Sequence, residues 1–385
     1  MVRIFTFLSF SSSIRFCLTN SAQHIMAMQL AKGSGKLSGK LSPVKTFIAD
    51  LPKHFIPQPY CSPSAAGSTA KRLVIVGDVH GARKSLETLL EKVEFERAKG
   101  DHLIFVGDLV NKGPDTPGVI DLAIKLGASA VRGNHDNAVL LAASAIEAAK
   151  VESLTVEVAS GEPSLSEKPD NDEGHAEPSE DQDSEKRKEN ALEVKPPSTS
   201  AITAATLSSH HIDWLASLPL MLRIGLPPRP ESSLGNVVIV HAGLVPGISL
   251  EQQDPYAIMH LRSLIQSGDA FVPEEAAGEE GWAAEWDRSQ EKLGEGETPT
   301  TVIFGHDAKR RLQLGKYIFG LDSACVYGNQ LSALIIETTA TGIQHRIVQV
   351  QCADPAVTPK MKKDTVGDSS QAKTLGAGDK PKTGE

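Results

Sequence analysis

Short apolar runs alternate with amphipathic segments between residues 72 and 131. The runs at 72–76, 102–106 and 128–131 are apolar or β-branched, as expected of strands that are buried on both faces. Apolar residues recur at helical spacing in the two intervening segments, 86–93 and 119–126. The order strand, helix, strand, helix, strand predicts an α/β fold with a parallel sheet.

Polar turns follow the three apolar runs. They read GDVHG at 77–81, GDLVNKGP at 107–114 and GNHD at 133–136. The carboxyl ends of parallel strands meet at one edge of a sheet, where ligands bind. Two later apolar runs lead in the same way to His241 and His306. We therefore expect six side chains to lie close together: Asp78, His80, Asp108, Asn134, His241 and His306.

Carboxylate, imidazole and amide oxygen are ligands for divalent cations, and this mixture predicts two metal ions. Zinc and manganese are expected ahead of iron, cobalt and magnesium. One ion is expected on Asp78, His80 and Asp108. The second is expected on Asn134, His241 and His306, with Asp108 as the bridge. Two cations about 3.5–4 Å apart can activate a bridging hydroxide and clamp the oxygens of an in-line displacement at phosphorus.

Five motifs occur in order along the chain: GDxHG, GDxxxxG, GNHD, HxG and GH. Together they resemble the calcineurin-like metallophosphoesterases over residues 72–350. The resemblance implies central β-sheets in a sandwich flanked by helices, with the metal site at the carboxyl ends of strands. Two further features, Asn111-Lys112 and the segment 320–328, are similar to the diadenosine tetraphosphatase-like (ApaH-like) phosphatases, including the fungal zinc-dependent endopolyphosphatase.

The resemblance also implies roles for residues beside the ligands. His135 would protonate the leaving oxygen, a role that suits histidine because its pKa lies near working pH. Ser/Thr protein phosphatases have Asp-Arg where this chain has Asn111-Lys112. Asn111 can accept a hydrogen bond through its carbonyl oxygen but cannot stabilise an imidazolium by charge. Lys112 would bind phosphate as a point charge.

Further phosphate contacts are expected from Arg132, next to the third turn, and from Lys309, just after His306. Arg310 and Arg311 fit either a phosphate contact or a solvated basic turn. Asp136 is expected to support the site.

The expected reaction is hydrolysis of phosphoanhydride bonds in inorganic polyphosphate, as an endopolyphosphatase, or in dinucleoside polyphosphates. A Ser/Thr protein phosphatase is the alternative, which the Asn111-Lys112 pair disfavours. A non-catalytic binding scaffold is a second alternative, although every ligand position is retained. The expected partner is a small or polymeric phosphate, without recognition of a specific nucleic-acid sequence.

The first 49 residues contain no Asp or Glu, and they carry six Lys or Arg. This composition fits a disordered extension, a mitochondrial transit peptide or a weak secretory signal. We expect a cytoplasmic protein, with a mitochondrial or vacuolar location as the alternative. Residues 50–71 are expected to form a linker, and no transmembrane span is expected anywhere in the sequence.

A strongly acidic insertion interrupts the expected domain. Residues 152–193 hold 14 acidic and 4 basic residues, whereas the whole chain has a net charge of −9, so the remainder is close to neutral. We expect 152–206 to be a disordered surface insertion, with binding of a regulatory partner as the alternative. The tail at 351–385 is also expected to be disordered.

The remaining expectations concern local structure. A helix is expected over 138–150 and another over 255–265, followed by a loop to Pro299, and antiparallel strands are expected to close the domain at 330–337 and 343–350. Trp282 and Trp286 either pack onto the domain or stack on an adenine. The four cysteines lack metal-site spacing and are expected to be free thiols.

Overall fold

The computed structural model describes residues 37–57, 71–159, 196–226, 234–294, 296–339 and 342–358. The strands in these ranges are β1 (Ile48–Asp50), β2 (Arg72–Val76), β3 (His102–Phe105), β4 (Ser129–Ala130), β5 (Met221–Gly225), β6 (Asn236–Val240), β7 (Ser263–Ser267), β8 (Ala270–Glu274), β9 (Thr300–Phe304), β10 (Gln313–Leu314), β11 (Ile318–Gly320), β12 (Gln330–Thr339) and β13 (Gly342–Gln351). The α-helices are α1 (Arg83–Lys92), α2 (Thr116–Leu126), α3 (Asn134–Ala159), α4 (Thr199–Thr206), α5 (Ser209–Ser217), α6 (Ala257–His260) and α7 (Trp282–Glu291).

Two large sheets account for most of these strands. In the described ranges, one sheet has five strands in the order β13-β12-β2-β3-β4, and the other has six in the order β1-β5-β6-β9-β11-β10. Strands β2, β3 and β4 are parallel, as the sequence predicts, and the antiparallel strands β12 and β13 extend this sheet on its other edge. Strands β6, β9 and β11 are parallel to one another in the second sheet.

Alternating side chains of β2 explain how the layers pack. Leu73 and Ile75 point towards the six-stranded sheet and form a core with Ile239 and Ile303. The opposite face of β2 packs against a core that contains residues of α1 and α2. Helices α6 and α7 cover the outer face of the six-stranded sheet. The predicted sandwich with flanking helices is confirmed.

The fold includes residues that the sequence analysis placed in a linker. Strand β1 pairs with β5, and Leu51 and Ile56 are buried in the core between the sheets. Residues 352–358 also contact the domain, because Val357 donates a backbone hydrogen bond to Val326. The rest of the N-terminal extension (1–36) and of the tail (359–385) lies outside the described residues.

Helical structure reaches into both ends of the expected insertion. Helix α3 continues to Ala159, and α4 begins at Thr199 after the N-cap Ser198, whose side chain accepts the backbone hydrogen bond of Ala201. The prediction of disorder is therefore wrong for these two stretches. The acidic segment 160–195, with the proposed partner-binding role, lies outside the described residues.

The helix expected over 255–265 is wrong for most of its length. Only Ala257–His260 is helical, and the following residues form the hairpin β7–β8. Gly268, with φ 62°, starts the two-residue turn of this hairpin, a conformation that glycine adopts without steric cost. The loop expected to reach Pro299 is also interrupted, because α7 lies within it.

Both tryptophans of α7 pack inside the protein. Trp282 contacts the Phe304 ring with centroids 4.8 Å apart, and Trp286 donates its indole N–H to the Thr300 carbonyl at 3.0 Å. Both side chains are buried. The packing alternative is confirmed, and stacking of these rings on an adenine is wrong.

One pair of cysteines is joined. Cys325 and Cys352 form a disulfide with their Cα atoms 5.2 Å apart, a separation typical of such bonds. The expectation of free thiols is therefore wrong for this pair, and Cys17 and Cys61 lie outside the described residues. In the part of the chain that the structure describes, no helix is both long and apolar enough to cross a membrane.

Candidate active site

The predicted ligands meet where strands of both sheets end. Asp78, Asp108 and Asn134 follow β2, β3 and β4 of the five-stranded sheet. His241 and His306 follow β6 and β9 of the six-stranded sheet. The site therefore lies at one end of the sandwich and takes side chains from both layers.

Asp108 occupies the centre of this cluster. Its Oδ2 lies 3.5 Å from His80 Nε2 and 3.4 Å from His241 Nε2, while Oδ1 accepts the backbone N–H of His135 at 2.9 Å. A Cβ atom at Gly133 would overlap Asp108 Oδ1, so the neighbouring turn requires glycine. This position between two imidazoles is the geometry expected of a bridging carboxylate.

Each of the three histidine ligands has one ring nitrogen committed to the backbone. The Nδ1 atoms of His80 and His241 and the Nε2 atom of His306 donate to carbonyls of Val110, Val106 and His260 at 3.1, 3.0 and 3.3 Å, respectively. In a neutral imidazole the second nitrogen then carries a lone pair. Such hydrogen bonds orient the rings of metal-binding histidines and fix their tautomers.

The free nitrogens of two histidines face another acceptor. His241 Nε2 and His306 Nδ1 lie 3.0 and 3.1 Å from the side-chain oxygen of Asn134. Three lone pairs that converge without a hydrogen between them repel one another, whereas a divalent cation would bind all three. The donor set therefore fits a metal ion.

Burial and nearby charges together determine the pKa values of these histidines. Burial, with Lys112 nearby, holds the pKa of His80 well below its ordinary value, which keeps the ring neutral and able to bind a metal. Burial also opposes a charge on His241, but the Asp108 carboxylate outweighs it and raises the pKa of His241. A cation between these groups would neutralise the Asp108 carboxylate in place of a second proton on His241.

Asp78 is held deep in the site. Both of its oxygens accept the backbone N–H of His306, at 3.2 and 3.1 Å, and a Cβ at Gly305 would overlap one of them. Burial, followed by the nearby Asp322, raises the pKa of Asp78 well above its ordinary value. A cation would relieve this clustering of carboxylates.

Among the residues that the structure describes, two groups of ligand atoms lie close enough to hold a metal ion. One comprises His80, Asp108 and His135, and the other comprises Asp108, His241 and His306, with all ligand atoms of a group within 4.8 Å of one another. Asp108 belongs to both groups, and its role as a bridge between two ions stays a prediction. The first group includes His135, which the sequence analysis assigned to proton transfer.

His135 contacts Asn111 in a way that corrects the sequence analysis. The Asn111 side-chain nitrogen lies 3.1 Å from His135 Nδ1, whereas its oxygen accepts the backbone N–H of Lys112 at 2.9 Å. Asn111 therefore donates to the histidine and does not accept from it. Burial lowers the pKa of His135 to about 4.

Lys112 lies over the metal ligands. Its Nζ is 3.0 Å from His80 Nε2 and 5.6 Å from the centre of the Tyr327 ring, and it lines the cavity above the cluster. This location agrees with a phosphate contact, because a phosphoryl group beside the metals would lie next to the ammonium group.

Arg132 does not face the cavity. Its guanidinium is fully buried and donates to the carbonyls of Ser42, Pro43 and Ala216 at 3.3, 3.2 and 2.8 Å. The predicted phosphate contact is therefore wrong, because the side chain points away from the site. It joins the N-terminal segment to the end of α5 instead.

Asp136 supports the turns that carry the ligands. Its buried carboxylate accepts four backbone hydrogen bonds, from Asp108, Leu109, Val110 and Gly133, at 2.8–3.3 Å. Burial raises the pKa of Asp136 to about 6, while these N–H groups favour its charged form. The carboxylate thereby holds the turns after β3 and β4 together.

A cavity of about 700 Å³ opens above the ligands. Lys112, Arg262, Lys309 and Arg311 contribute positive charge to its lining. Arg262 is held in place by a hydrogen bond to the His306 carbonyl at 3.0 Å. Arg310 is directed elsewhere, because its guanidinium pairs with Asp307 at 2.7 Å and contacts the Ala277 carbonyl.

Several site residues were not predicted from the sequence. Asp322 lines the cavity and follows β11 just as the predicted ligands follow their strands, so its position after an apolar run was a usable signal. Arg262 and Tyr327 line the cavity without such a signal. Ser200 and Thr203 contact Asn111 from α4, a segment that was expected to be disordered.

Comparison with known families agrees with this geometry. The family model of the calcineurin-like phosphoesterases matches residues 71–312. The chain belongs to this family of hydrolases, whose members use two divalent metal ions.

Similar proteins include symmetrical bis(5'-nucleosyl)-tetraphosphatases. That of Psychromonas ingrahamii is 27% identical over 308 residues, which cover 68% of this chain and 91% of the relative. That of Cellvibrio japonicus is 43% identical, but the match spans only 23% of that relative and 16% of this chain. A solved structure provisionally described as a diadenosine tetraphosphatase is 29% identical with a TM-score of 0.51, covering 80% of this chain and 98% of the other.

Proposed function

We propose that this protein hydrolyses phosphoanhydride bonds in a linear polyphosphate, with zinc or manganese as the bound metal. The observation that carries the proposal is a set of four cationic side chains in the cavity lining, beside the carboxylates of Glu275, Asp307 and Asp322 and those of the ligands. The four are Lys112, Arg262, Lys309 and Arg311, of which Arg262 also lies 3.6 Å from Asp307. A chain of phosphates carries charge along its whole length, so it would contact several of these cations at once.

The residues around the cluster have separable roles. The six ligands would hold two cations, which would supply an activated water and neutralise charge at phosphorus. Lys112 and Arg262 bind the phosphoryl oxygens on the open side of the cluster. His135 donates a hydrogen bond to the departing oxygen, and Asp136 keeps the ligand turns in register.

A dinucleoside tetraphosphate is the second candidate substrate. It is favoured by the tetraphosphatase relatives, among them one that the chain matches over 91% of its length. Its polyphosphate bridge would bind the same cations, and Tyr327 provides an aromatic ring in the cavity lining. A phosphoprotein is less well supported, because Asn111 replaces the charged partner that the protein phosphatases place beside the catalytic histidine.

The test is a substrate panel with the purified full chain. Metal-stripped protein is supplied with zinc, manganese, cobalt or magnesium and assayed on long-chain polyphosphate, diadenosine tetraphosphate and a phosphoserine peptide. We expect metal-dependent shortening of the polyphosphate by internal cleavage. Intact polyphosphate together with cleaved diadenosine tetraphosphate would replace the first candidate with the second.

A variant of the predicted bridging carboxylate tests whether the reaction depends on the ligand cluster. Asp108→Asn keeps the size of the side chain but removes the charge shared by both ligand groups, so we expect kcat/KM to fall at least about 100-fold. Metal content, measured by elemental analysis, should fall with it. Full activity in this variant would exclude a role for the cluster in the reaction.

A further inference from the structure

Helix α4 brings two hydroxyl groups to the residue that contacts His135. Ser200 and Thr203 are three positions apart and therefore lie on the same helical face. Ser200 Oγ accepts a hydrogen bond from the Asn111 amide nitrogen at 3.1 Å, and Thr203 Oγ1 donates to the Asn111 oxygen at 3.3 Å. The Asn111 side chain is only 1% exposed, so these partners replace solvent.

The surroundings determine which end of the Asn111 amide faces the histidine. The backbone N–H of Lys112, which can only donate, lies 2.9 Å from one end of the amide, so that end is the oxygen. Thr203 donates to the same oxygen. The NH2 group is therefore directed at Ser200 and at His135 Nδ1, which lies 3.1 Å away.

This orientation determines the tautomer of His135. The amide NH2 group has no acceptor capacity, so Nδ1 must accept its hydrogen bond. The ring hydrogen of a neutral imidazole then lies on Nε2, the nitrogen on the other side of the ring. His135 lines the cavity, so this N–H is available to a substrate.

We propose that Ser200 and Thr203 are positioning residues that act through Asn111 to keep the His135 hydrogen on Nε2. This inference rests on the proposed function and gives it a chemical basis. In the hydrolysis of an anhydride, water forms the new P–O bond, the bridging P–O bond breaks and its electron pair leaves with the departing phosphate. The departing oxygen is a stable anion, so a hydrogen bond from Nε2–H is sufficient and the proton of water is released to solvent.

Alkyl phosphate esters place a different demand on the same group. Their departing oxygen is a strongly basic alkoxide, which needs a full proton from the acid. An Nδ1 atom that accepts from an amide N–H cannot at the same time carry the second proton of a doubly protonated ring. The arrangement therefore favours anhydrides and activated esters over phosphoserine or phosphothreonine.

The first test observes the tautomer directly. Zinc-loaded full-length protein with ¹⁵N-labelled histidine is compared with its His135→Gln variant, so that the signals of His135 are assigned by difference. Long-range ¹H–¹⁵N correlation spectra should show the Nε2–H form in the wild-type protein. An Nδ1–H form would overturn the proposal, whatever the enzyme hydrolyses.

The second test uses matched variants of α4. In the double variant Ser200→Ala with Thr203→Val, kcat should fall roughly 10-fold with KM within twofold and metal content unchanged. The double variant Ser200→Thr with Thr203→Ser retains both hydroxyl groups, so its kcat should equal that of the wild-type protein. Thr206→Val is the control and should leave kcat unchanged, because the Thr206 hydroxyl donates to the Thr203 backbone carbonyl and not to Asn111. Equal losses in the hydroxyl-retaining pair would show a merely structural role and overturn the proposal.

The third test measures dependence on the leaving group. A series of substituted phenyl phosphates should give a steep decline of kcat as the leaving phenol becomes more basic. In Asn111→Asp the carboxylate accepts from Nδ1–H and stabilises the doubly protonated ring, so the decline should become shallower. An unchanged slope would contradict the proposal. If anhydrides are not cleaved although the tautomer and slope are as expected, only the proposed substrate fails.

Discussion

Arg132 and Lys309 carry the same charge but differ in burial and in hydrogen-bond partners. Arg132 is buried and donates to three backbone carbonyls, whereas Lys309 lines the cavity above the ligands. A buried carbonyl that loses its partner costs about 1–3 kcal/mol, while a surface change usually costs less than about 0.5 kcal/mol. The two residues should therefore affect different measurements.

We expect Arg132→Met to lower the free energy of unfolding by about 2–5 kcal/mol, because a charged donor of three buried bonds is lost. Its KM for polyphosphate should remain near that of the wild-type protein. Lys309→Ala should instead raise KM several-fold at unchanged stability. Denaturant unfolding and steady-state kinetics check both variants, and a raised KM for Arg132→Met without loss of stability would contradict this assignment.

The ligand residues are easier to predict from the sequence than the contacts of the residues around them. Asp78, Asp108 and His241 each follow a recognisable apolar run, so their positions could be inferred from local pattern alone. The direction of Arg132 depends on carbonyls of segments 90 and 84 residues away in the chain. The orientation of the Asn111 amide likewise depends on a helix that is distant in sequence. The local sequence pattern therefore predicts neither the contacts of Arg132 nor those of Asn111.

At the scale of elements, His102 connects three pieces of the fold. It lies on β3, its ring stacks on Phe55 of the segment after β1 at 3.7 Å between centroids, and its Nε2 lies 2.9 Å from Ser129 Oγ on β4. Burial lowers the pKa of His102 from 6.5 to about 4. Protonation of this ring therefore favours the unfolded chain.

The stability supplied by neutral His102 should be complete above pH 6.5 and lost as pH falls towards about 4. The loss across this window is at most about 3 kcal/mol. His102→Phe keeps an aromatic ring but does not titrate, so its free energy of unfolding should depend less on pH in this range. The exposed His210, changed to Phe, is the control, and an equal pH dependence of wild-type protein and His102→Phe would refute the linkage.

Elements with a clear apolar pattern were predicted, and those with competing signals were not. Strand β2 is a continuous apolar run, and helix α2 has apolar residues at helical spacing. The segment 255–265 has apolar residues at helical spacing, yet the glycine turn at 268 and pairing with β8 outweigh this propensity. Helix α4 has a serine N-cap but little amphipathic character, so its formation depends on packing against α3.

At the scale of the whole molecule, the disulfide joins the cavity wall to the last described strand. Cys325 lines the cavity, and Cys352 directly follows β13, 27 residues later. A cross-link that closes a loop of this length stabilises a protein by about 3–4 kcal/mol, mainly by restricting the unfolded chain.

We expect Cys352→Ser to lower the free energy of unfolding by about 3 kcal/mol in oxidised protein. In the presence of dithiothreitol the wild-type protein and the variant should unfold alike. The controls add Cys17→Ser and Cys61→Ser to both the wild-type protein and the Cys352→Ser variant, which removes the two other thiols. Identical unfolding of wild-type protein and variant under oxidising conditions would exclude the bond.

Domain limits were the hardest property to infer from composition. The acidic residues of 152–193 dominate their surroundings, so the helical ends on either side were assigned to the same disordered segment. The short strand β1 has no alternating pattern and depends on pairing with β5, which is more than 170 residues away. Such contacts arise only when the chain is folded.

The ligands come from both sheets, and this has a thermodynamic consequence. Asp78 and Asp108 belong to one layer, while His241 and His306 belong to the other. A cation bound by both layers cross-links them, and binding to the native state alone adds RT ln(1 + [M]/Kd) to stability, about 2.7 kcal/mol at 100 times Kd. The melting temperature should therefore rise with free metal concentration in the wild-type protein and much less in Asp108→Asn, so thermal unfolding would report metal affinity without any substrate.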